Sequence, residues 1–402
     1  MSNIDLCSFC GKSRLDVPVL IKSDTTSTCI CSECNVICAE MIREFNLRRA
    51  NKGIRLLYPH EIKEALDREI IGQDDAKQAI SVAAFMHILR IISGQGSKSN
   101  VLLLGPTGSG KTHMIQVLAN FLDLPLAITD ATTLTEAGYV GDDVESIVSR
   151  LIQVADFNVA LAKQGIIYID EIDKLARTSE NRSITRDVSG QGVQEALLKL
   201  IEGSVALVPH KSNVKHPGQE MVQIDTKDIL FICGGAFEGL DRIIKSRLTP
   251  SRMGINISAD RHDDKTDTNA LKLVEPHDLV KFGLIPELVG RLPVRAVLNP
   301  LSIDDLVKII TEPKSAILNQ YECLLSSVNV RIKITDEAKR RIAEIASLQK
   351  TGARSIRSVI EKLLTEQIYM NANEKNTSGE GCTINIDLDL VNKYFKQKAR
   401  AS

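Results

Sequence analysis

One glycine-rich segment constrains the fold of this chain more than any other feature. It fits the G-x-x-x-x-G-K-[ST] pattern of a phosphate-binding loop with Gly105, Pro106, Thr107, Gly108, Ser109, Gly110, Lys111 and Thr112. The apolar run Val-Leu-Leu-Leu at 101–104 precedes it and a helical pattern follows. A chance glycine-rich turn would not need this strand–loop–helix context, so the segment predicts a nucleotide-binding α/β domain.

A second apolar run supplies the acidic partner of this loop. Residues 165–169 read Gly-Ile-Ile-Tyr-Ile, which is typical of a buried strand, and lead directly to Asp170 and Glu171. Lys111 is long enough to reach the β- and γ-phosphates, and Thr112 offers a hydroxyl to Mg²⁺. We expect Asp170 to hold the Mg²⁺ shell and Glu171 to polarise the attacking water. The two segments together predict binding of ATP with Mg²⁺, and its hydrolysis.

The amino-terminal cysteines form a metal-binding pattern. Cys7-x-x-Cys10 and Cys31-x-x-Cys34 enclose twenty residues, the spacing of a two-knuckle structural zinc site. Cys29 does not fit a C-x-x-C knuckle, and Cys38 lies four residues after Cys34. Cys233, Cys323 and Cys382 are scattered along the rest of the chain. A redox pair or free thiols are the alternatives. The count of nine cysteines is odd, which argues against a disulfide framework. We predict a closed Zn²⁺ site that is structural rather than catalytic.

Composition excludes several classes of partner. The formal net charge of the 402 residues is −1, which gives no bulk electrostatic case for binding nucleic acid or a membrane surface. No apolar stretch approaches the length of a membrane span, and the first residues lack the basic and apolar segments of a secretory signal. We therefore expect a cytoplasmic protein with no nucleic-acid or membrane partner.

The chain reads as three domains and a linker. We predict a zinc-binding domain at 1–49, a linker at 50–62, a large α/β domain at 63–300 and a small α domain at 301–402. Strands at 124–129 and 229–233 alternate with helices at 143–154 and 193–202, which favours a parallel sheet. Ser302-x-x-Asp305 indicates a capping box, and Thr335 begins another helix. The alternating pattern at 382–390 predicts an edge strand.

Further motifs are specific enough to point to a family. The chain resembles the ClpX family of AAA+ unfoldases of bacterial ATP-dependent proteolysis over nearly its whole length. Besides the cysteine segment, the phosphate loop and the acidic strand, the resemblance rests on Ile-Gly-Gln at 71–73, Gly-Tyr-Val-Gly at 138–141, Gly-Gly-Ala-Phe at 234–237, Gly-Arg-Leu-Pro at 290–293 and Thr-Gly-Ala-Arg at 351–354. It implies an AAA+ P-loop NTPase large domain, a small, mainly helical C-terminal domain and an N-terminal zinc-binding domain.

The resemblance also implies roles for single residues. Tyr139 and Val140 match the pore loop that grips polypeptide, Arg291 matches the arginine finger of a neighbouring subunit, and Arg354 matches the sensor arginine of the small domain. Ile71 matches an adenine-pocket position. Taken singly, a core tyrosine, a surface arginine and a core isoleucine are the ordinary alternatives.

The implied activity is ATP-dependent protein unfolding by a homo-hexamer that delivers tagged or unfolded substrates to a ClpP-like peptidase. The zinc domain would recruit substrates or adaptors. Two rival functions remain at this point. One is a remodelling chaperone that uses the same motor without a peptidase. The other is a nucleic-acid motor, which the near-neutral charge disfavours.

Two loops depart from the family pattern. The second pore loop reads Val214-Lys215-His216 where an Arg-Lys-His sequence is common, so one positive charge is missing. The docking tripeptide reads Met253-Gly254-Ile255 where Ile-Gly-Phe is usual, so the aromatic side chain is missing. We expect altered tag preference from the first departure and weaker peptidase binding from the second.

Overall fold

The structure is a computed structural model that describes residues 6–23, 28–51, 55–135, 142–176, 190–209, 221–248, 268–326, 330–349, 352–372 and 382–398. The chain divides after Arg55 into two compact units, which are described separately. Several segments singled out above lie outside the described residues, namely the pore loop with Tyr139 and Val140, residues 214–216 and residues 253–255.

The first unit is a small hairpin followed by one helix. Strand β1 (Leu20–Lys22) pairs antiparallel with β2 (Cys29–Cys31), and helix α1 (Ser32–Asn51) follows at once. Among the described residues of this unit, the buried apolar cluster consists of Cys7, Val17 and Cys31. Cys31 ends β2 and Cys34 lies in the first turn of α1, so the second cysteine pair spans the junction between the strand and the helix.

The second unit begins with a large α/β part. Its elements are α2 (Pro59–Asp67), α3 (Asp74–Ser93), β3 (Val101–Leu104), α4 (Lys111–Leu122), β4 (Leu126–Asp130), β5 (Leu134–Thr135), β6 (Asp142–Asp143), α5 (Ser146–Val154), α6 (Val159–Ala162), β7 (Ile166–Asp170), α7 (Gln191–Glu202), β8 (Val205–Pro209), β9 (Met221–Asp225), β10 (Leu230–Gly235), α8 (Leu240–Leu248), α9 (Thr268–Leu271), α10 (Pro276–Phe282), α11 (Pro286–Gly290) and β11 (Val294–Val297).

The five-stranded sheet of this part is parallel throughout, in the order β11-β3-β10-β7-β4. Its central strands are buried along their whole length, which explains why they read as continuous apolar runs. Parallel strands have their carboxyl ends at the same edge of a sheet. The residues that follow Leu104, Asp170 and Gly235 therefore lie close together at that edge. The parallel α/β fold class predicted from the sequence is confirmed.

The predicted elements of the large part are confirmed in type but shifted at their ends. The strand predicted at 124–129 runs from Leu126 to Asp130, and the helix predicted from residue 143 begins only at Ser146. Asp142 and Asp143 instead form the short strand β6, which pairs with β5. Apolar spacing does not reveal such pairing, because it depends on a distant segment.

The carboxyl-terminal part adds a mainly helical layer with its own core. Its elements are α12 (Ile303–Thr311), α13 (Ile317–Ser326), β12 (Val330–Ile334), α14 (Asp336–Leu348), α15 (Ala353–Ala372), β13 (Cys382–Ile386) and α16 (Leu388–Lys398). The capping box is confirmed: the Ser302 hydroxyl accepts from the Asp305 amide at 3.1 Å, and the Asp305 carboxylate accepts from the Ser302 amide at 3.0 Å. Thr335 caps α14 as predicted.

The strand predicted at 382–390 is wrong in its second half. It ends at Ile386, and α16 begins at Leu388, where the Asp387 carboxylate accepts a hydrogen bond from the Leu390 amide at 2.8 Å. The alternating pattern of apolar residues continues through Asp387, so it did not reveal this helix cap. The strand itself pairs parallel with β12.

Across the described ranges, every helix is either too short or too polar to cross a membrane.

Candidate nucleotide and metal sites

A cleft of about 530 Å³ lies at the carboxyl edge of the large sheet, where β3, β7 and β10 end. Its lining comes from the phosphate loop, the acidic end of β7, the segment after β10 and the start of α15. The cleft therefore unites residues that are up to 250 positions apart in the chain, among them Thr107, Gly108, Gly110, Lys111, Thr112, Asp170, Glu171, Asp173, Arg354 and Arg357.

The phosphate loop curls into the amino-terminal end of α4. Gly108 and Gly110 have φ values of +78° and +99°, which a side chain rarely tolerates. The Lys111 ammonium donates to the carbonyls of Gly105 at 2.7 Å and Pro106 at 3.1 Å. Burial lowers the pKa of Lys111, and the charge of Asp170 opposes that shift. A buried cation at the positive end of a helix fits an anionic ligand such as a polyphosphate.

The metal-binding pair predicted from the sequence is assembled in the structure. The Thr112 hydroxyl donates to Asp170 Oδ2 at 2.8 Å, across 58 positions of sequence. A hydroxyl and a carboxylate side by side are the hard oxygen donors that Mg²⁺ prefers, so these residues fit the ion. Asp170 Oδ1 also accepts from the Glu171 amide at 3.0 Å, which orients the carboxylate.

Glu171 leaves the strand in an unusual conformation. Its φ is +57°, in the left-handed region where residues other than glycine are uncommon. This turn ends the strand at Asp170 and carries the exposed Glu171 side chain to the lining of the cleft. Left-handed residues of this kind concentrate at functional sites, which agrees with the predicted position of a water-polarising base.

Asp173 was not predicted as a site residue, and the structure shows that it supports the acidic turn. Its buried carboxylate accepts from the amides of Ala236 at 3.2 Å and Phe237 at 3.3 Å, which ties the end of β10 to the acidic turn. A Cβ at Gly235 would lie 2.5 Å from Asp173 Oδ1, so glycine is required there. The sequence signal for this role was the Asp-Glu-Ile-Asp segment at 170–173, which places a third carboxylate close to the predicted site.

The carboxyl-terminal part reaches directly into the phosphate loop. The Ala353 amide donates to the Gly108 carbonyl at 3.1 Å. Gly352 has a φ of +58°, and a Cβ there would lie 2.6 Å from the same carbonyl oxygen. Arg354 and Arg357 follow on the first turns of α15 and line the cleft. Arg357 also pairs with Glu361 at 2.8 Å.

Not every predicted nucleotide-site residue lines this cleft: Gly105, Pro106 and Ser109 of the loop itself do not, and neither do two residues outside the loop. Ile71 and Arg291 are absent from its described lining. Arg291 lies at the end of α11, more than half exposed, and pairs with Glu202 at 2.8 Å. Near Ile71, the buried Gln73 donates to the Asn299 carbonyl at 2.8 Å and accepts from the Asn299 amide at 2.7 Å. Gln73 thus fixes the segment to the strand end beside the loop.

The four predicted metal ligands of the first unit converge. One sulfur atom from each of Cys7, Cys10, Cys31 and Cys34 lies within 4.8 Å of the others. Burial opposes ionisation of Cys7, but hydrogen bonds from the backbone of Cys10 and neighbouring residues outweigh it and lower its pKa to about 6. Four converging thiols fit a tetrahedral Zn²⁺ site.

Cys29 and Cys38 remain outside the metal-ligand cluster. Cys29 is buried, and its backbone pairs with Ser8: the Cys29 carbonyl accepts from the Ser8 amide at 2.8 Å, and the Cys29 amide donates to the Ser8 hydroxyl at 3.0 Å. Cys38 lies on the second turn of α1, partly buried. Cys29 therefore contributes to packing of the hairpin.

Models of known protein families match the segments that contain both sites. The ClpX C4-type zinc finger matches residues 5–44, the AAA domain (Cdc48 subfamily) matches 96–295, and the C-terminal, D2-small domain of ClpB protein matches 301–386. The first match contains all four clustered cysteines. The second contains the phosphate loop and the acidic turn, and the third contains Arg354.

Curated relatives match nearly the whole chain. Proteins named ATP-dependent Clp protease ATP-binding subunit ClpX from Borrelia duttonii and Borrelia recurrentis are each 50% identical over 375 residues, which cover 91% of this chain and 87% of theirs. The protein of that name from Treponema denticola is 46% identical over 371 residues, which cover 90% of this chain and 89% of its own.

Proposed function

This chain belongs to the ClpX family of AAA+ ATPases, and from that membership we propose that it unfolds proteins through the pore of a hexamer and delivers them to a ClpP-like peptidase. It is an ATPase whose cofactors are ATP, Mg²⁺ and Zn²⁺. The observation that carries the proposal is the single cleft in which Thr112, Asp170, Glu171 and Arg354 meet. We place its action in the cytoplasm.

We propose a division of labour among the cleft residues. Lys111 and the phosphate-loop amides bind the phosphates, while Thr112 and Asp170 hold Mg²⁺. Glu171 accepts a hydrogen bond from the attacking water and takes its proton. Bound Mg²⁺ supplies positive charge to the developing transition state. The short contact between Thr112 and Asp170 and the turned-out position of Glu171 support these roles.

The sensor role proposed for Arg354 couples the nucleotide to the carboxyl-terminal part. The Ala353 amide already contacts the Gly108 carbonyl, so a displacement of the loop is passed to α15 through that hydrogen bond. Arg354 acts electrostatically on Lys111, whose pKa it helps to lower. Loss of the terminal phosphate would remove an anion from between these two cations and let α15 shift.

Arg291 is proposed to act on the cleft of a neighbouring subunit. It does not line the described part of its own cleft, and its guanidinium is more than half exposed at the end of α11. Its partner Glu202 is also exposed, so the ion pair is worth little and exchanges easily for a phosphate. Hydrolysis would then require an assembled ring.

The grip on substrate is assigned from the sequence. We propose that Tyr139, with Val140, contacts the polypeptide in the pore. An aromatic ring between glycines can press against an extended chain of any sequence. The missing aromatic residue at Met253-Gly254-Ile255 favours one alternative, a remodelling chaperone that works without a peptidase.

A folded, tagged reporter tests both functions at once. We expect ATP-dependent unfolding without the cognate peptidase, and degradation when it is present. Tyr139→Ala should abolish both activities and spare ATP hydrolysis. Ile255→Phe should strengthen peptidase binding, because a phenylalanine buries more apolar area.

The outcomes separate the candidates. Unfolding without degradation, unchanged by Ile255→Phe, would favour the chaperone. Normal unfolding by Tyr139→Ala would reassign that residue to packing. Absence of unfolding under every condition would refute the proposed motor.

A further inference from the structure

A buried tyrosine beneath the acidic turn has no role in the functions described so far. Tyr168 lies in the middle of β7 and is fully buried. Its hydroxyl oxygen has no hydrogen-bond partner among the described residues. A buried hydroxyl without a partner destabilises a fold, so a phenylalanine would stabilise the core better at this position. The hydroxyl therefore calls for a functional explanation.

The position of Tyr168 relates it to the proposed Mg²⁺ ligands. Successive side chains of a strand alternate between faces, so Tyr168 and Asp170 project from the same face of β7. On this face Asp170 meets Thr112 at the start of α4. A phenol hydroxyl carries its proton at neutral pH, so Tyr168 can act as a hydrogen-bond donor on this face.

The neighbouring strand is shaped around the hydroxyl. β10 runs beside β7, with Ile232 in register with Tyr168. Two residues on, Gly234 faces the tip of the ring: an added Cβ would collide with the phenol oxygen and lie 2.9 Å from Cζ. Any other residue at 234 would push the hydroxyl aside. The sheet thus holds this oxygen close to Thr112 and Asp170, but in a geometry that makes no hydrogen bond to either.

We propose that Tyr168 is a positioning residue for the Mg²⁺ ligands, and that its hydroxyl donates to the Asp170 carboxylate when Mg²⁺–nucleotide is bound. Asp170 already accepts from Thr112 on one oxygen and from the Glu171 amide on the other. A third donor from within the sheet would fix the plane of the carboxylate against the pull of the ion. The inference rests on the proposed role of Asp170 as the holder of the Mg²⁺ shell.

Mg²⁺ titrations of the full-length protein test the proposal. Binding of a fluorescent ATP analogue is followed as Mg²⁺ is added, and again in excess EDTA. For Tyr168→Phe we expect the half-saturating Mg²⁺ concentration to rise about tenfold, since the lost hydrogen bond is to a charged group. Nucleotide affinity in EDTA should be unchanged. The melting temperature without nucleotide should not fall, because the variant removes an unpartnered buried hydroxyl.

Two controls separate the inference from the role it rests on. Tyr394→Phe removes a half-buried phenol from the core of the carboxyl-terminal part and should leave the Mg²⁺ titration unchanged. Asp170→Asn should weaken Mg²⁺ dependence more than Tyr168→Phe does. If Asp170→Asn has no effect, the proposed ligand role fails; if Asp170→Asn has its effect and Tyr168→Phe does not, only the positioning role fails.

A second variant guards against a folding defect. Gly234→Ala crowds the hydroxyl but leaves it chemically intact, and we expect it to raise the half-saturating Mg²⁺ concentration too. A lowered melting temperature with an unchanged Mg²⁺ titration, in either variant, would overturn the proposal and leave Tyr168 as a packing residue.

Discussion

The two units of this protein differ in how much of the buried core is made of functional-site residues. In the first unit the buried cluster is Cys7, Val17 and Cys31, so two of its three members are metal ligands. In the second unit an extensive apolar core underlies the sheet, and the cleft residues lie at the strand ends outside it. In the first unit the metal ligands are themselves the core, whereas in the second unit the site residues lie on a core that forms without them.

This difference follows from size. A segment of about fifty residues cannot bury enough apolar surface to offset its conformational entropy, so ligation must contribute most of its folding free energy. The second unit buries a much larger apolar core, and the stability from that core offsets local unfavourable features. Examples are the left-handed backbone of Glu171 and the Tyr168 hydroxyl, which lacks a hydrogen-bond partner among the described residues. Metal removal and cleft mutations should therefore have different consequences.

Zinc removal should produce the largest effect and sharpen the comparison most. Chelation, or Cys7→Ser together with Cys34→Ser, should unfold the first unit completely and leave the melting temperature of the second unit unchanged. NMR spectra and metal analysis check this, with one zinc per chain expected. A folded, metal-free amino-terminal unit would break the comparison.

Glu171→Gln should abolish catalysis while the fold persists. The amide cannot take the proton of the attacking water, whereas Lys111, Thr112 and Asp170 still hold the nucleotide. We expect kcat to fall by about a hundredfold or more with nucleotide affinity retained. Steady-state ATPase assays and nucleotide titrations check both halves of this prediction. Near-normal turnover would remove Glu171 from its proposed role.

Arg291→Ala should be equally inactive in assembled rings, and mixing it with Glu171→Gln subunits tests its action across an interface. Mixed rings should regain some activity, because some interfaces then combine an intact arginine with an intact glutamate. Mass spectrometry confirms mixing. Confirmed mixed rings with no recovered activity at any ratio would place Arg291 outside the neighbouring cleft.

Gly352→Ala should weaken nucleotide binding about tenfold. The new Cβ would lie 2.6 Å from the Gly108 carbonyl oxygen, so either the phosphate loop or α15 must move. Gly94→Ala is a matched control: its φ of +67° is similarly left-handed, but its Cβ would meet nothing within 4 Å. Equal losses in the two variants, measured by nucleotide titration, would show that backbone strain alone is responsible.

His87 should give the second unit a modest acid sensitivity. Burial lowers its pKa to about 4, the Gln164 carbonyl opposes this, and the positive charges of Arg90 and Lys98 add to it. The unfolded chain therefore binds a proton that the folded chain refuses. The stabilisation is complete above the ordinary pKa of 6.5 and is lost as pH falls towards 4.

Between pH 6.5 and 5.5 this group should cost about 1 kcal/mol of unfolding free energy. His87→Gln retains a donor for the Gln164 carbonyl but does not titrate, so its stability should change less over that interval. Denaturant titrations at the two pH values measure the difference. Parallel curves for the two proteins would refute the assignment.

The sequence predicted those features whose cause is local. The phosphate loop is contiguous, and Cys7-x-x-Cys10 and Cys31-x-x-Cys34 are short-range patterns fixed by ligand geometry. The capping box at Ser302 could be predicted because the cap and its partner Asp305 lie three residues apart. The strand predicted across Asp387 shows the limit, since a local alternating pattern concealed the start of a helix.

Roles that arise from resemblance stay predictions where no contact bears on them, as for Tyr139, Ile71 and Arg291. The consequences expected from the Val214-Lys215-His216 and Met253-Gly254-Ile255 departures also stay predictions. Physical interpretation of single residues could not decide these cases, because an exposed arginine or an apolar side chain is compatible with many environments.

By itself the sequence determined the chemistry of both sites: four thiols for zinc, and a lysine, a hydroxyl and two carboxylates for a magnesium nucleotide. Only the tertiary structure decided which distant groups share the cleft. It brought Gly352 and Arg354 to the phosphate loop, tied Asp173 to the end of β10 and set Tyr168 beneath Asp170 against Gly234. The reason is that parallel strands align their carboxyl ends at one edge, so proximity there depends on strand order and register rather than on separation along the chain.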